Sequence, residues 1–258
     1  MKKILVIGVG WLGKQIVDKL FNEGYHVGMC SRSKEKLEGI TKASERIVVS
    51  YENDECHFSG DISPYTHVLI CLPPFEKYPV VINSIIKQLS DQTQLIFMSS
   101  IGVYNFQEGI IYESSPIQEN HLVAEAEQVV LTKQYQVILR LGGLIGPRRH
   151  PITHLIKKDK IEFGNNVVNL IHSFDICSAI LVLLKQEKKA SLYNLVYPKH
   201  PTRASYYQNA AKTLRNYNLK SDETNSFSKQ VDGSKIVKEL GFQYEEGIEN
   251  WQSFDLNG

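Results

Sequence analysis

The stretch Ile4-Leu5-Val6-Ile7-Gly8-Val9-Gly10-Trp11-Leu12-Gly13-Lys14-Gln15-Ile16-Val17 decides the fold class of this chain. Ile4–Gly8 is a continuous apolar run of strand length ending in glycine, as expected for a strand buried on both faces of a parallel sheet. Leu12, Ile16, Val17 and Leu20 then recur at helical spacing, so a helix is predicted from about Leu12 to Asn22, with Gly24 ending it. The Gly8-x-Gly10-x-x-Gly13 spacing is weak in isolation. A strand before it and a helix after it make it specific. The first glycine permits the tight turn, the second lets backbone approach a pyrophosphate, and the third lets helix and strand pack closely. The helix start adds unpaired N–H groups and the positive end of its dipole. Gly8, Gly10, Trp11, Leu12 and Gly13 are therefore assigned to a dinucleotide site.

Downstream, the same alternation repeats. His26–Cys30 and Ile47–Val49 read as strands, and Ser33 caps a short helix through Leu37 and Ile40. Tyr51–Tyr65 is polar and reads mostly as loop. His67–Leu72 is a strand stopped by Pro73-Pro74, and Val80, Ile82, Ile85, Ile86 and Leu89 mark a helix beyond Pro79. Gln94–Met98, a helix carrying Leu122, Ala126, Val129 and Val130, and Gln136–Leu141 complete the pattern. Strand–helix alternation over about 145 residues predicts an α/β doubly wound parallel sheet, a Rossmann domain over residues 1–147. After Pro147 the regularity drops, so 148–258 is read as a smaller C-terminal substrate lobe. In it Ile176–Leu184 is a helix, and 192–196 is a strand able to return to the main sheet.

Composition bounds the partners. The chain has 258 residues, with Lys+Arg 29 against Asp+Glu 28. That balance gives no charge-driven grip on nucleic acid or on a membrane surface. Lys2-Lys3 before an apolar run resembles the start of a signal peptide. Three glycines, then Lys14, Gln15 and Asp18, break the run, and no Ala-x-Ala follows. No apolar run approaches the roughly 20 residues of a membrane span. Cys30, Cys56, Cys71 and Cys177 form neither Cys-x-x-Cys nor a zinc pattern, so they read as thiols in a reducing, cytoplasmic protein with no metal.

The end of the second strand reads Val27-Gly28-Met29-Cys30-Ser31-Arg32-Ser33, with no acid between Glu23 and Glu35. A site for NAD usually places an acid there for the ribose 2′-hydroxyl. An arginine between two serines instead suits a 2′-phosphate, so Ser31, Arg32 and Ser33 point to NADP rather than NAD. Leu72 and Pro73, ending the fourth strand, join the cofactor set.

Further motifs are Phe97-Met98-Ser99-Ser100-Ile101-Gly102-Val103-Tyr104-Asn105, Arg140-Leu141-Gly142-Gly143-Leu144-Ile145-Gly146-Pro147, Asn169-Leu170-Ile171-His172-Ser173-Phe174-Asp175 and Tyr193-Asn194-Leu195-Val196. With the glycine loop, they resemble the NAD-dependent epimerase/dehydratase group, the extended branch of the short-chain dehydrogenases/reductases. The resemblance implies a substrate lobe, often for nucleotide sugars, and a catalytic serine with a Tyr-x-x-x-Lys pair. Carried over, the serine falls on Ser100, and Ser99 lies beside the cofactor. The pair itself is absent: none of the 13 tyrosines has lysine four positions later. The chain therefore reads as an atypical member.

Tyr104, four residues after Ser100, is the first candidate for a displaced phenol, ahead of Tyr112. His121 could act as acid/base, and Glu119 only if desolvated, but at a polar helix start both read more readily as surface residues, and Asp175 reads as a first-turn acid favoured by the helix dipole. Arg148 and Arg149 after the sixth strand suit an anionic substrate or form a basic surface loop, and His172 is read either as a substrate residue at the lobe junction or as a structural hydrogen-bonding residue. The expected function is an NADP-dependent oxidoreductase- or epimerase-like protein with a small-molecule substrate. The alternative is a regulator that binds NADP(H) without turnover.

Overall fold

The computed structural model describes residues 2–224 and 228–254, so the last four residues of the C-terminal segment lie outside the described residues. In chain order the first elements are β1 (Lys3–Ile7), α1 (Trp11–Asn22), β2 (His26–Ser31), α2 (Lys34–Glu38), β3 (Glu45–Glu52), β4 (Glu55–Phe58), β5 (His67–Ile70), α3 (Tyr78–Lys87) and β6 (Gln94–Ser100). There follow β7 (Gly109–Ile111), α4 (Leu122–Val130), β8 (Gln136–Leu141), β9 (Gly143–Ile145), α5 (Ile152–Lys158), β10 (Leu170–His172), α6 (Ser173–Lys185), β11 (Ser191–Leu195), α7 (Arg203–Arg215), β12 (Lys229–Val231) and α8 (Ser234–Leu240).

Eight strands form one sheet in the order β11-β8-β6-β5-β1-β2-β3-β4. β1 pairs in parallel with β2 and β5, β2 with β3, and β5 with β6. The chain order therefore reverses about β1, and such a switch point opens a crevice at the carboxyl ends of the strands. Ile4, Leu5, Val6 and Ile7 are essentially without exposure, as are Val68, Leu69 and Ile70, which explains their unbroken apolar spelling. The strand read at 192–196 does join this sheet, as β11 at its edge.

One reading is corrected and one gains detail. Tyr51–Tyr65 is mostly loop, as read, but it also holds the end of β3 and all of β4, which pair antiparallel with Glu52 opposite Glu55. Asn53 and Asp54 take positive φ of 50° and 66° and close the two-residue hairpin turn. The helix capped by Ser33 ends at Glu38, with Gly39 as its C-cap, and does not reach Ile40.

The chain forms two compact units, and a single cut at 147/148 does not describe them. One unit comprises 1–103, 117–140 and 183–193, and the other 104–116, 141–182 and 194–258. The chain passes between them repeatedly, because segments far apart in sequence pair within the second unit. There β7 pairs with β12 and β9 with β10, both in parallel. Its core holds Ile145, Ile152, Tyr206, Tyr207, Ile248 and Phe254, gathered around a buried His150. The His150 ring meets Tyr206, Trp251 and Phe254 and hydrogen-bonds the Tyr206 hydroxyl at 2.9 Å.

Candidate dinucleotide site

Each glycine of the loop has a distinct reason to be glycine. Gly8 has φ +96°, and a Cβ there would stand 2.9 Å from the Cys71 carbonyl carbon and oxygen. Its N–H donates to the Cys30 carbonyl at 3.0 Å, tying the loop to the end of β2. A Cβ on Gly13 would stand 2.0 Å from the Gly8 carbonyl oxygen, so no other residue lets α1 approach β1 this closely. Gly10 differs: a Cβ there meets nothing within 4 Å. It is the N-cap of α1, has ordinary extended dihedrals, and offers no side-chain cap. The first turn of α1 carries no acid, and a helix start of this kind, with the positive end of its dipole, suits an anion.

The parallel strands β1, β2, β3, β5 and β6 all end at one edge of the sheet. Across that edge lie Ser100 after β6, Leu72-Pro73 after β5, the glycine loop after β1, Arg32 after β2, and Tyr51 on β3. Arg32, Leu72, Pro73, Ile7, Tyr51 and Phe75 line one cavity of about 80 Å³, together with Cys56 and residues of α3. Arg32 is exposed, and no described residue pairs with its guanidinium. Tyr78 braces Leu72 from behind the lining: its hydroxyl donates to the Leu72 carbonyl at 3.0 Å, and its buried ring packs against Phe75 and Phe97. Sequence reading missed Tyr51 and Tyr78. Both are aromatic residues of their elements with no spacing that sets them apart.

The two serines flanking Arg32 are less free. Ser33 caps α2 by accepting from the Lys36 N–H at 3.2 Å, and donates to Glu35 at 2.7 Å. That hydrogen bond holds the Glu35 carboxyl below its ordinary range. The Ser33 side chain is thus committed to its helix rather than to a phosphate. Ser31 Oγ accepts from the Ser33 N–H at 3.2 Å, which bends the chain so that Arg32 points outward.

At the end of β6 the two neighbouring serines part company. Ser99 is buried, and its hydroxyl donates to Glu127, which also holds Arg140 in a two-pronged ion pair at 2.7 and 3.0 Å. Glu127 and Arg140 are both buried. Ser99 is therefore part of a structural network, and its hydroxyl does not lie free beside a cofactor. Ser100 is half-buried, and its Oγ accepts from the Gly102 N–H at 3.0 Å.

Tyr104 is corrected most sharply. It is wholly buried, and its hydroxyl donates to Asn194 Oδ1 at 2.5 Å. Asn194 is itself pinned, with its N–H on Glu113 and its amide on the Asp232 carbonyl. This phenol braces the second unit and is not offered to a reacting group.

In that unit Arg148 and Arg149 are both exposed, on a tight turn where Arg148 takes φ 60°. His172 is not presented to a substrate. It is wholly buried, its Nδ1 accepts from the Phe174 N–H, and its ring lies edge-on to Phe174 and Phe254. Burial pushes its pKa down. Asp175, three residues on, sits in the first turn of α6 and also fastens a distant segment. Its Oδ1 accepts from the Glu245 and Glu246 N–H groups at 2.9 and 3.1 Å. Burial pushes this carboxyl up to about 6.

The sheet order and the glycine loop define a Rossmann-type, doubly wound α/β fold. Residues 3–110 match the family described as the NAD binding domain of 6-phosphogluconate dehydrogenase. The chain belongs to the family of protein YeeZ from Escherichia coli (strain K12). The two are 30% identical over 268 residues, covering 95% of this chain and 96% of YeeZ. Among solved structures, UDP-glucuronic acid 4-epimerase from Bacillus cereus in complex with NAD superimposes with a TM-score of 0.78 at 16% identity, covering 98% of this chain and 97% of that one. Vestitone reductase from alfalfa (Medicago sativa L.) superimposes with a TM-score of 0.77 at 20% identity, covering 98% and 96%. At these identities the likeness is one of fold. Among the described residues no helix is long and apolar enough to cross a membrane.

Proposed function

We propose that this protein is an NADP(H)-dependent oxidoreductase- or epimerase-like enzyme acting on a small anionic substrate of the nucleotide-sugar class. Arg32 carries the cofactor preference. Its guanidinium has no partner among the described residues and lines an apolar cavity on the β2 side of the glycine loop. A 2′-phosphate on the adenosine ribose is the group it would take, by charge-assisted hydrogen bonds. The residues fit the dinucleotide. The uncapped start of α1 would hold the pyrophosphate, the open side of Gly10 leaves room for it, and Leu72 and Pro73 would cover the adenosine half. The nicotinamide half is then left the β5–β6 side, where Ser100 ends its strand about two strand spacings, roughly 10 Å, from β1. When bound, the nicotinamide donates or accepts hydride. Ser100 orients the oxygen of the substrate.

The commitment of Tyr104 to Asn194 favours one alternative, a protein that binds NADP(H) and responds to it without turnover. A panel of UDP-sugars incubated with NADP⁺, read by nicotinamide absorbance and by product NMR, separates the two. Turnover of a panel member that is lost in Ser100→Ala supports the enzyme. Tight NADPH binding with no turnover on any panel member supports the regulator.

A further inference from the structure

The residue that replaces the missing acid/base tyrosine can be sought among unpaired donors near Ser100. A Cβ placed on Gly102 would lie 3.2 Å from Ser100 Oγ and 4.0 Å from His121 Nε2. The two side chains thus converge on the bare face of one glycine. Both have spare protons. Ser100 Oγ accepts from the Gly102 N–H, which leaves its own O–H to donate. His121 is the N-cap of α4, and its Nδ1 accepts from the Val123 N–H at 3.2 Å. With the Nδ1 lone pair so occupied, the ring proton is on Nε2, the nitrogen that faces Gly102. No described residue accepts from either donor.

The surroundings hold this arrangement. Gln118 Nε2 donates to the Gly102 carbonyl at 2.9 Å, and the Gln118 N–H donates to the Val103 carbonyl at 2.8 Å, so the approach to α4 is tied to the turn after β6. His121 is half-buried, as Ser100 is. Both stand at the strand-end edge that the glycine loop shares.

We propose that Ser100 and His121 together bind the reacting oxygen of the substrate through two hydrogen bonds donated from Oγ and Nε2: the carbonyl oxygen as hydride reaches its carbon, and the alkoxide so formed, which then takes its proton from solvent water. This deepens the enzymatic reading above and rests on it. His121 acts here as a hydrogen-bond donor that polarises a carbonyl, its Nδ1 lone pair being taken by the Val123 N–H. Gly102 is glycine because a methyl there would occupy the place of that oxygen.

The test uses the full chain loaded with NADPH and two probes. The first is isobutyramide, a carbonyl that hydride does not reduce, observed by NMR on protein carrying isotope-labelled histidine. The second is 4-nitrobenzaldehyde, a reactive carbonyl, observed by NADPH oxidation. The variants are Ser100→Ala, Gly102→Ala and His121→Asn, the last keeping a side chain able to cap α4. The expected results are an Nε2–H tautomer for His121, a shift of that resonance on adding isobutyramide, and a loss of aldehyde turnover of roughly 100-fold in each variant with NADPH affinity unchanged. A His121 resonance that ignores isobutyramide, a proton found on Nδ1, or His121→Asn turnover equal to wild type overturns the proposal. So does a wild-type protein that binds NADPH and reduces no aldehyde. A wild-type protein that fails to bind NADPH refutes the cofactor assignment beneath it.

Discussion

Gly10 and Gly13 belong to one motif, yet the geometry gives them opposite fates on substitution. In Gly13→Ala the new methyl would lie 2.0 Å from the Gly8 carbonyl oxygen and 3.0 Å from its carbon. Both are backbone atoms held by β1 and by the Gly8 N–H bond to Cys30, so neither can swing away as a side chain would. Relief requires α1 to back away from the sheet. Overpacking of this kind costs about 3 kcal/mol or more. For a chain of this size that is a fall in Tm of roughly 6–12 °C. In Gly10→Val the side chain meets open space and the dihedrals are ordinary, so stability should stay within about 0.5 kcal/mol of wild type. The same open space is where a pyrophosphate must approach, so NADPH binding should be abolished. Thermal unfolding and titration calorimetry on both variants check this. A Gly13→Ala protein with wild-type Tm, or a folded Gly10→Val protein with wild-type NADPH affinity, would refute the division of roles.

Asp175→Asn keeps an acceptor for the Glu245 and Glu246 N–H groups and removes a buried charge. The Asp175 pKa is raised in the fold, from 3.8 to about 6, so its favourable contribution is full below pH 4 and lost as pH rises through 6. The variant should therefore gain stability relative to wild type between pH 4 and pH 8, by roughly 3 kcal/mol at most, and a pH-independent difference in Tm would contradict this. Glu127→Ala removes the buried ion-pair partner of Arg140 and the acceptor of the Ser99 hydroxyl, and should cost about 3–5 kcal/mol in chemical denaturation, more than Glu127→Gln. Tyr104→Phe leaves the buried Asn194 Oδ1 without its donor, and should cost about 1–3 kcal/mol while leaving NADPH affinity unchanged. A change in affinity on that substitution would return Tyr104 to the site.

What was legible in the sequence was what stereochemistry imposes on residue type. Gly8 must be glycine because φ is +96°, and Gly13 because of contact, so the loop is spelled in the chain. The central strands are legible because burial on both faces leaves only apolar letters. β4 was not, because Glu55-Cys56-His57-Phe58 is an edge strand with exposed Glu55 and His57. Asn53-Asp54 between two alternating runs was the available signal, as residues tolerant of positive φ. The pairing of β7 with β12 joins Ile111 to Val231, a separation beyond any local pattern. Polar side chains were hardest to place. Tyr104 and His172 looked chemically useful, and both are consumed inside the second unit. Glu127 left a trace, a charge on the apolar face of α4, matched by Arg140 within the apolar run of β8.

The most direct test of the account is the affinity of the protein for NADPH and NADH, each with and without Arg32. Calorimetry on wild type should give tighter binding of NADPH than of NADH. Charge-assisted hydrogen bonds of about 1.5–3 kcal/mol make the expected loss for NADPH in Arg32→Ala roughly 10- to 100-fold, with NADH nearly unaffected. Wild type binding NADH more tightly than NADPH, or Arg32→Ala weakening both alike, would contradict the assignment of Arg32 to the 2′-phosphate.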